Sequence, residues 1–209
     1  MNSFSEYIVN NEIIKFGDFT LKSGRKSPYF FNFGSFHNGM RLWDLGEFYA
    51  DYIYENKIEF DVIFGSAYKG IPIALATTFV LNKKYKMNID YVFNRKEEKS
   101  YGDNGKFIGA EIKSRKVLAL DDVLTSGKTV LETIEMIREA NGELVGYLVA
   151  LDRQENGIDS NILASHFISQ KYNLNIYSIS SIRDVIDSLK NVNRTSECKR
   201  LEEYLARNN

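Results

Sequence analysis

The sequence is poor in the residues that build small cross-linked or metal-bound folds. Its 209 residues include one cysteine, Cys198, and two widely separated histidines, His37 and His166. A single thiol forms no internal disulfide or multi-thiolate metal site, and the histidines lack zinc spacing, so disulfide scaffolds and zinc modules are excluded. An excess of one charge is missing too: 27 Lys and Arg against 28 Asp and Glu leave -1. The chain therefore lacks the broad basic field of a general nucleic-acid binder, and an anionic ligand must meet locally concentrated positive charge. No run approaches the roughly 18 apolar residues of a membrane span. Met1 to Tyr7 lacks the basic start and apolar run of a leader peptide. The expectation is a soluble cytoplasmic protein that engages neither membrane nor nucleic acid. There is also no internal repeat, low-complexity tract or Pro-, Gly- or Ser-rich linker.

What is present is ordinary globular material, 44% hydrophobic and 26% charged. At ~100 to 200 residues per domain, the length suits one substantial domain with at most a small appendage. From about residue 60, short runs rich in β-branched and aromatic residues alternate with longer segments whose apolar residues recur every three or four positions, the rhythm of βαβ units. The strand candidates are Phe60 to Phe64, Ile89 to Phe93, Lys116 to Leu120, Leu144 to Leu151 and Asn175 to Ser180. Most are apolar at consecutive positions, as strands covered on both faces should be. Helices are expected near 70 to 84, 128 to 141, 159 to 172, 182 to 190 and 196 to 207. The expected fold is α/β, a central, mostly parallel sheet flanked by helices. Residues 1–58 read as an N-terminal cap of a helix, two short strands around Phe19 and Tyr29 to Asn32, and a helix with Leu42, Leu45, Tyr49, Tyr52 and Ile53. Residues 59–209 then form the core. Residues 96–109, with three glycines and mixed charge between two strands, read as a flexible lid, because long structureless connections are usually functional or disordered.

The sharpest local signal is Val117-Leu118-Ala119-Leu120-Asp121-Asp122-Val123-Leu124-Thr125-Ser126-Gly127-Lys128-Thr129. A buried strand ends in two acids and turns through a small-residue loop into a helix. Free backbone N–H groups and the positive end of the helix dipole suit a phosphate there, with the Thr125, Ser126 and Thr129 hydroxyls as further donors. The carboxylates can accept from sugar hydroxyls or hold a hard cation. Side chains alternate along a strand, so both serve one ligand only if the chain leaves the extended path. Ser-Gly-Lys-Thr by itself reads first as a helix cap. A P-loop is excluded by spacing, since it needs glycine where Asp122 stands.

Together the strand, acid pair and Thr-Ser-Gly-Lys-Thr loop resemble the phosphoribosyl pyrophosphate (PRPP) signature of the type I phosphoribosyltransferases, a doubly wound α/β superfamily with a hood over its active site. Four further stretches narrow the resemblance to the orotate phosphoribosyltransferase branch. They are Leu-Lys-Ser-Gly-Arg-Lys-Ser-Pro-Tyr-Phe-Phe-Asn at 21–32, Phe-Gly-Ser-Ala-Tyr-Lys-Gly-Ile-Pro at 64–72, Phe-Asn-Arg-Lys-Glu-Glu-Lys at 93–99 and Leu-Asp-Arg-Gln-Glu at 151–155. Each is weak alone, but all run in the family's order.

The resemblance implies that Thr125, Ser126, Gly127, Lys128 and Thr129, with Val123 and Leu124 before them, form the 5-phosphate loop, and that Asp121 and Asp122 face the ribose hydroxyls. Tyr68 and Lys69 would belong to the pyrophosphate loop, where the family has a non-proline cis peptide falling between Ala67 and Tyr68. Phe30 and Phe31 would pack on the pyrimidine, with Lys22 and Arg153 supplying positive charge to orotate or PRPP. Arg95, Lys99 and Tyr101 would act from the lid across a homodimer interface, while Lys96 serves its own site. Mg²⁺ would be held mainly through substrate, without a protein metal cage. As bare residues, Lys69 reads as a solvated lysine, the Phe pair as core and the lid as a charge-balanced loop. A Tyr29-Phe30-Phe31 run in a strand nonetheless cannot put all three rings on one face. Two positions depart from the family: tyrosine stands at 101 where histidine is usual, and Lys128 replaces a small residue, as in purine enzymes. The implied activity is transfer of phosphoribosyl from PRPP to orotate. The alternatives are a purine phosphoribosyltransferase and a non-catalytic PRPP-binding regulator.

Overall fold

The centre of the molecule is a twisted sheet of consecutive apolar residues that need cover on both faces. In the computed structural model, which describes residues 3–21, 24–99, 105–158 and 160–208 (the side chains of 98, 99 and 208 excepted), this sheet has six strands. They are β3 (Val62–Gly65), β4 (Asp90–Lys99), β5 (Gly105–Gly109), β6 (Lys116–Leu124), β7 (Glu143–Asp152) and β8 (Asn175–Ser181), in the order β5-β4-β3-β6-β7-β8. All neighbours are parallel except β4 and β5. Alternate residues feed two cores. Ile63, Leu118, Leu120, Leu148 and Ala150 face one, and Val62, Phe64, Val117, Ala119 and Val149 face the other. Each such side chain is fully or nearly fully buried, which favours folding by ~1.5 to 3 kcal/mol apiece for the larger ones. This two-sided demand is why the strands read as apolar runs rather than alternations.

On the first face lie α1 (Phe4–Asn10), α2 (Gly39–Glu55), α3 (Gly70–Tyr85), α6 (Ile182–Asn191) and α7 (Thr195–Asn208), all contributing to one core. The second face is covered by α4 (Lys128–Glu139) and α5 (Ala164–Tyr172), through Val130, Ile137, Ala164 and Ile168. A separate antiparallel pair, β1 (Ile14–Thr20) and β2 (Lys26–Phe31), stands over one end of the sheet. Tyr29 and Phe31 of β2 point into the first core. Phe30 faces the other way and is 40% exposed, its ring 5.7 Å from that of Phe19.

Three sequence expectations are corrected. Residues 96–99 and 105–109 are not structureless: β4 runs on to Lys99 and β5 pairs antiparallel with it, with Phe93 opposite Ile108. Gly105 and Gly109, both at positive φ, obscured this strand. Helix α5 begins at Ala164 rather than near 159, because residues 156–163 close a small loop through an Asn156–Leu163 bridge and the Gly157 amide donating to Ile162. Third, β6 does not stop before its acids but stays paired with β7 as far as Leu124.

Candidate active site

From β3 the chain steps outward to β4 and β5, then crosses back to β6 on the other side of β3 and continues to β7 and β8, so the strand order reverses between β3 and β6. A parallel sheet opens a crevice beyond the carboxyl ends of two such strands. A cavity of about 460 Å³ lies there. It is lined by Lys69, by Asp121, Asp122 and every residue from Val123 to Thr129, by Phe30 and Phe31 of β2, and by Arg153. Thirteen of the site residues expected from the sequence thus belong to this one hollow, among them all those from the β6 end.

The turn from β3 into α3 is pressed against β6. A Cβ on Gly70 would lie 2.8 Å from the Leu120 carbonyl oxygen, so only glycine allows this approach. The Ala67–Tyr68 peptide is cis. The Ala67 amide donates to Oδ1 of the buried Asn94 at 2.8 Å, which ties the turn to β4. Lys69 then reaches across, its Nζ donating to Asp122 Oδ2 at 2.7 Å. It is therefore not a lysine merely solvated at a helix start. Tyr68 is 71% exposed and lies outside the cavity lining, with Lys96 Nζ 5.8 Å from its ring centre.

Both acids are buried and both line the cavity, although the strand continues past them. They look to different partners. Asp121 accepts from the Tyr147 hydroxyl at 2.9 Å and from the Asp122 amide at 3.0 Å, and its carbonyl oxygen accepts from the Tyr49 hydroxyl at 2.6 Å. Burial, with the neighbouring Asp122 charge, pushes the Asp121 carboxyl up to about 7. The same desolvation, with Asp121 beside it, holds the Tyr147 hydroxyl far above its ordinary range, so it serves as a donor. Neither Tyr49, read from the sequence only as an apolar helix position, nor Tyr147 was expected at the site. Their hydroxyls reach Asp121 only through folding, over separations of 72 and 26 residues.

Beyond the acids the chain turns at Gly127, φ 84°, into α4. A Cβ here would collide with Ile168, and the left-handed φ disfavours a side chain as well. The Ile158 amide donates to the Ser126 carbonyl at 3.2 Å, bracing the loop from the far side. The first amides of α4 have no partner within the helix and point toward the crevice end, the arrangement that takes an anion. Lys128 is exposed, its Nζ 3.9 Å from Glu132 one turn along the helix.

Opposite the loop, the β1–β2 hairpin supplies Phe30 and Phe31; Phe31 is largely buried beneath, its ring 6.3 Å from that of Phe36. Arg153 is only 2% exposed, and its Nε donates to Glu155 at 2.7 Å. Lys22, Tyr101 and the side chain of Lys99 lie outside the described residues. Arg95 and Lys96 do not line the first cavity. They line a second hollow of about 650 Å³ between β4, β5 and α4, with Asn94, Lys106, Glu135 and Glu139. Glu132 borders both.

A phosphate-type loop, an acid pair and a lysine at the switch point of a parallel sheet define a protein that handles a phosphorylated sugar. The model of the phosphoribosyl transferase domain family matches residues 33–180. An orotate phosphoribosyltransferase of Salmonella arizonae is 45% identical over 187 residues, covering 90% of this chain and 87% of that protein. The crystal structure of orotate phosphoribosyltransferase from Francisella tularensis superposes with a TM-score of 0.84 at 37% identity, covering 98% of both chains. The Leishmania donovani UMP synthase structure shares the fold, with a TM-score of 0.79 at 24% identity over 98% of this chain and 42% of that one. The chain belongs to the orotate phosphoribosyltransferases of the type I phosphoribosyltransferase family.

Proposed function

We propose that the protein transfers the phosphoribosyl group of PRPP to orotate, giving orotidine 5′-monophosphate and pyrophosphate, a step in making pyrimidine nucleotides. One observation carries this reading: the acid pair, the Thr125–Thr129 loop, Lys69, Arg153 and the Phe30 ring border a single cavity. In the reaction a ring nitrogen of orotate forms the bond to C1 of the ribose as the C1–oxygen bond to pyrophosphate breaks. The leaving group takes the electron pair, and the ribose passes through an oxocarbenium-like state. The protein's work is then chiefly positioning and stabilising the charge that grows on pyrophosphate.

The loop amides and the start of α4 hold the 5-phosphate, with the Thr125, Ser126 and Thr129 hydroxyls. Asp121 and Asp122 accept from the ribose hydroxyls. Lys69, now paired with Asp122, stands within reach of the pyrophosphate, and ribose binding at Asp122 frees its ammonium for that charge. Phe30 offers a ring face to the pyrimidine, and Arg153 a guanidinium to its carboxylate. Arg95, Lys96, Lys99 and Tyr101, with Tyr68 and Lys22, complete the electrostatic wall when the β4–β5 hairpin closes, which also keeps water from the activated ribose.

Mg²⁺ is the cofactor of this reading. The donor set fits it: two adjacent buried carboxylates beside a phosphate loop suit a cation that keeps several waters and binds largely through substrate oxygens. When bound, it supplies charge to offset the pyrophosphate. A homodimer with the β4–β5 hairpin reaching the partner's site is part of the same proposal. It is supported by exposed apolar side chains on α2 and α3, namely Met40, Trp43 and Phe79, the last 63% exposed. Cytoplasmic residence accords with the free thiol of Cys198.

The test is the loss of orotate absorbance with purified protein, PRPP and Mg²⁺, with hypoxanthine, adenine and uracil run alongside. Turnover of orotate alone is expected. Turnover of a purine would make Lys128 the better guide to the base, and PRPP binding without turnover would mark a regulator.

A further inference from the structure

Glu155 is a carboxylate with no exposure to solvent that the proposed reaction does not use. Its Oε1 accepts from Arg153 Nε at 2.7 Å and from the Tyr204 hydroxyl at 2.6 Å. Its Oε2 accepts from Arg25 Nη1 at 2.5 Å. These donors come from three places: the end of β7, helix α7 and the turn of the β1–β2 hairpin. Arg153 is held on its other sides too. Its Nη2 donates to Ser27 Oγ at 2.9 Å, its guanidinium lies 4.0 Å from the Tyr29 ring centre, and the Tyr204 ring stands edge-on to Tyr29.

A buried ion cluster is a poor way to stabilise a core, because desolvation offsets most of the attraction. This cluster also sits at the wall of the substrate cavity, since Arg153 lines it. With Nε and Nη2 engaged, Nη1 is the Arg153 nitrogen without a partner among the described residues. Arg153 and Arg25 share the one Glu155 carboxylate, so Arg153 turns its remaining N–H donors and positive charge to the cavity, where they suit a carboxylate. We propose that Glu155 and Tyr204 are positioning residues for the orotate carboxylate: they lock Arg153 so that Nη1 meets it, and Arg25, on the same Glu155, registers the hairpin carrying Phe30 with that cation. This rests on the reading of Arg153 as the orotate-binding guanidinium.

Four variants test it by steady-state kinetics with each substrate varied in turn: Arg153→Ala, Glu155→Gln, Tyr204→Phe and Arg25→Gln. Hydrogen bonds to charged groups are strong enough that Glu155→Gln is expected to raise KM for orotate about tenfold, and Tyr204→Phe about three- to tenfold. KM for PRPP should stay within about twofold in both, because the 5-phosphate loop is untouched. Preference for orotate over uracil should fall in parallel. A purely structural role would instead lower the active fraction, and so kcat, without separating the two KM values. Tyr204→Phe removes one oxygen, so it decides the matter should Glu155→Gln not fold. Unchanged orotate KM in folded Tyr204→Phe and Arg25→Gln, with orotate KM raised in Arg153→Ala, would overturn the positioning role alone. Unchanged orotate KM in Arg153→Ala would overturn the underlying reading of Arg153, and the positioning role with it.

Discussion

Replacing Asp121 by asparagine keeps the side chain's shape and an oxygen for the Tyr147 hydroxyl, but removes an ionisation that the fold opposes. Asp121 titrates at about 7 in the folded protein, because burial and then the Asp122 charge disfavour its anion. In the unfolded chain a carboxyl of this type titrates near 3.9. Below about pH 4 both states hold the proton and the group contributes nothing. Between about pH 4 and 7 the folded state keeps a proton that the unfolded state has lost, so stability falls as pH rises. Above about 7 both states are ionised and the penalty is constant. At about 1.4 kcal/mol per unit over roughly three units, the penalty is about 2 to 4 kcal/mol. Asp121→Asn should therefore gain on the parent protein by that amount between pH 4 and 8, or about 5 to 15 °C in Tm for a chain of this size. The assay is urea unfolding of the ligand-free proteins at pH 4.5, 6, 7 and 8, with PRPP absent because a ligand would add its own stabilisation. A difference constant to within about 0.5 kcal/mol across that range would refute the assignment of a protonated Asp121. Activity should fall in the same variant, since the carboxylate faces the ribose hydroxyls in the proposed reaction.

Asn94→Ala removes the acceptor for the Ala67 amide, and the turn carrying Tyr68 and Lys69 should loosen. KM for PRPP is expected to rise about threefold to tenfold with orotate KM nearly unchanged, and equal rises in both would contradict this. Tyr29→Phe deletes a buried hydroxyl that has no hydrogen-bond partner among the described residues. Thermal unfolding should show a Tm unchanged or raised by up to about 4 °C, whereas a clear fall would mean that the hydroxyl is satisfied. Gly127→Ala forces a Cβ into Ile168 at a left-handed φ. It should cost about 1 to 3 kcal/mol in urea unfolding and weaken PRPP binding by calorimetry; an unperturbed protein would deny the loop its tight packing on α5. Mixing inactive Lys99→Ala and Asp122→Asn chains should restore activity in hybrid dimers if the hairpin acts on the partner's site. No recovery, with hybrids shown to form, would assign it to its own subunit.

Local patterns in the sequence determined much of this protein. Strands β3, β6 and β7 were legible because a doubly covered strand is apolar at consecutive positions, and β6 betrayed its ligand end by two acids followed by small residues. Phe30 could be separated from Tyr29 and Phe31 by alternation alone, and the family's stretches identified the cavity's residues before their geometry was known. Tertiary structure decided the rest. Strand β5 is short, polar and bounded by glycines, so only its pairing with β4 defines it, and the start of α5 was set by a loop closed across Asn156 and Leu163. The anchoring of Asp121 by Tyr49 and Tyr147, and of Arg153 by Glu155, Arg25 and Tyr204, joins residues up to 130 positions apart. A single buried tyrosine or glutamate has no periodicity and no fixed spacing to its partner. What makes it part of a site is the desolvation that forces each buried polar group to find a partner, and that requirement exists only once the sheet and its helices have closed.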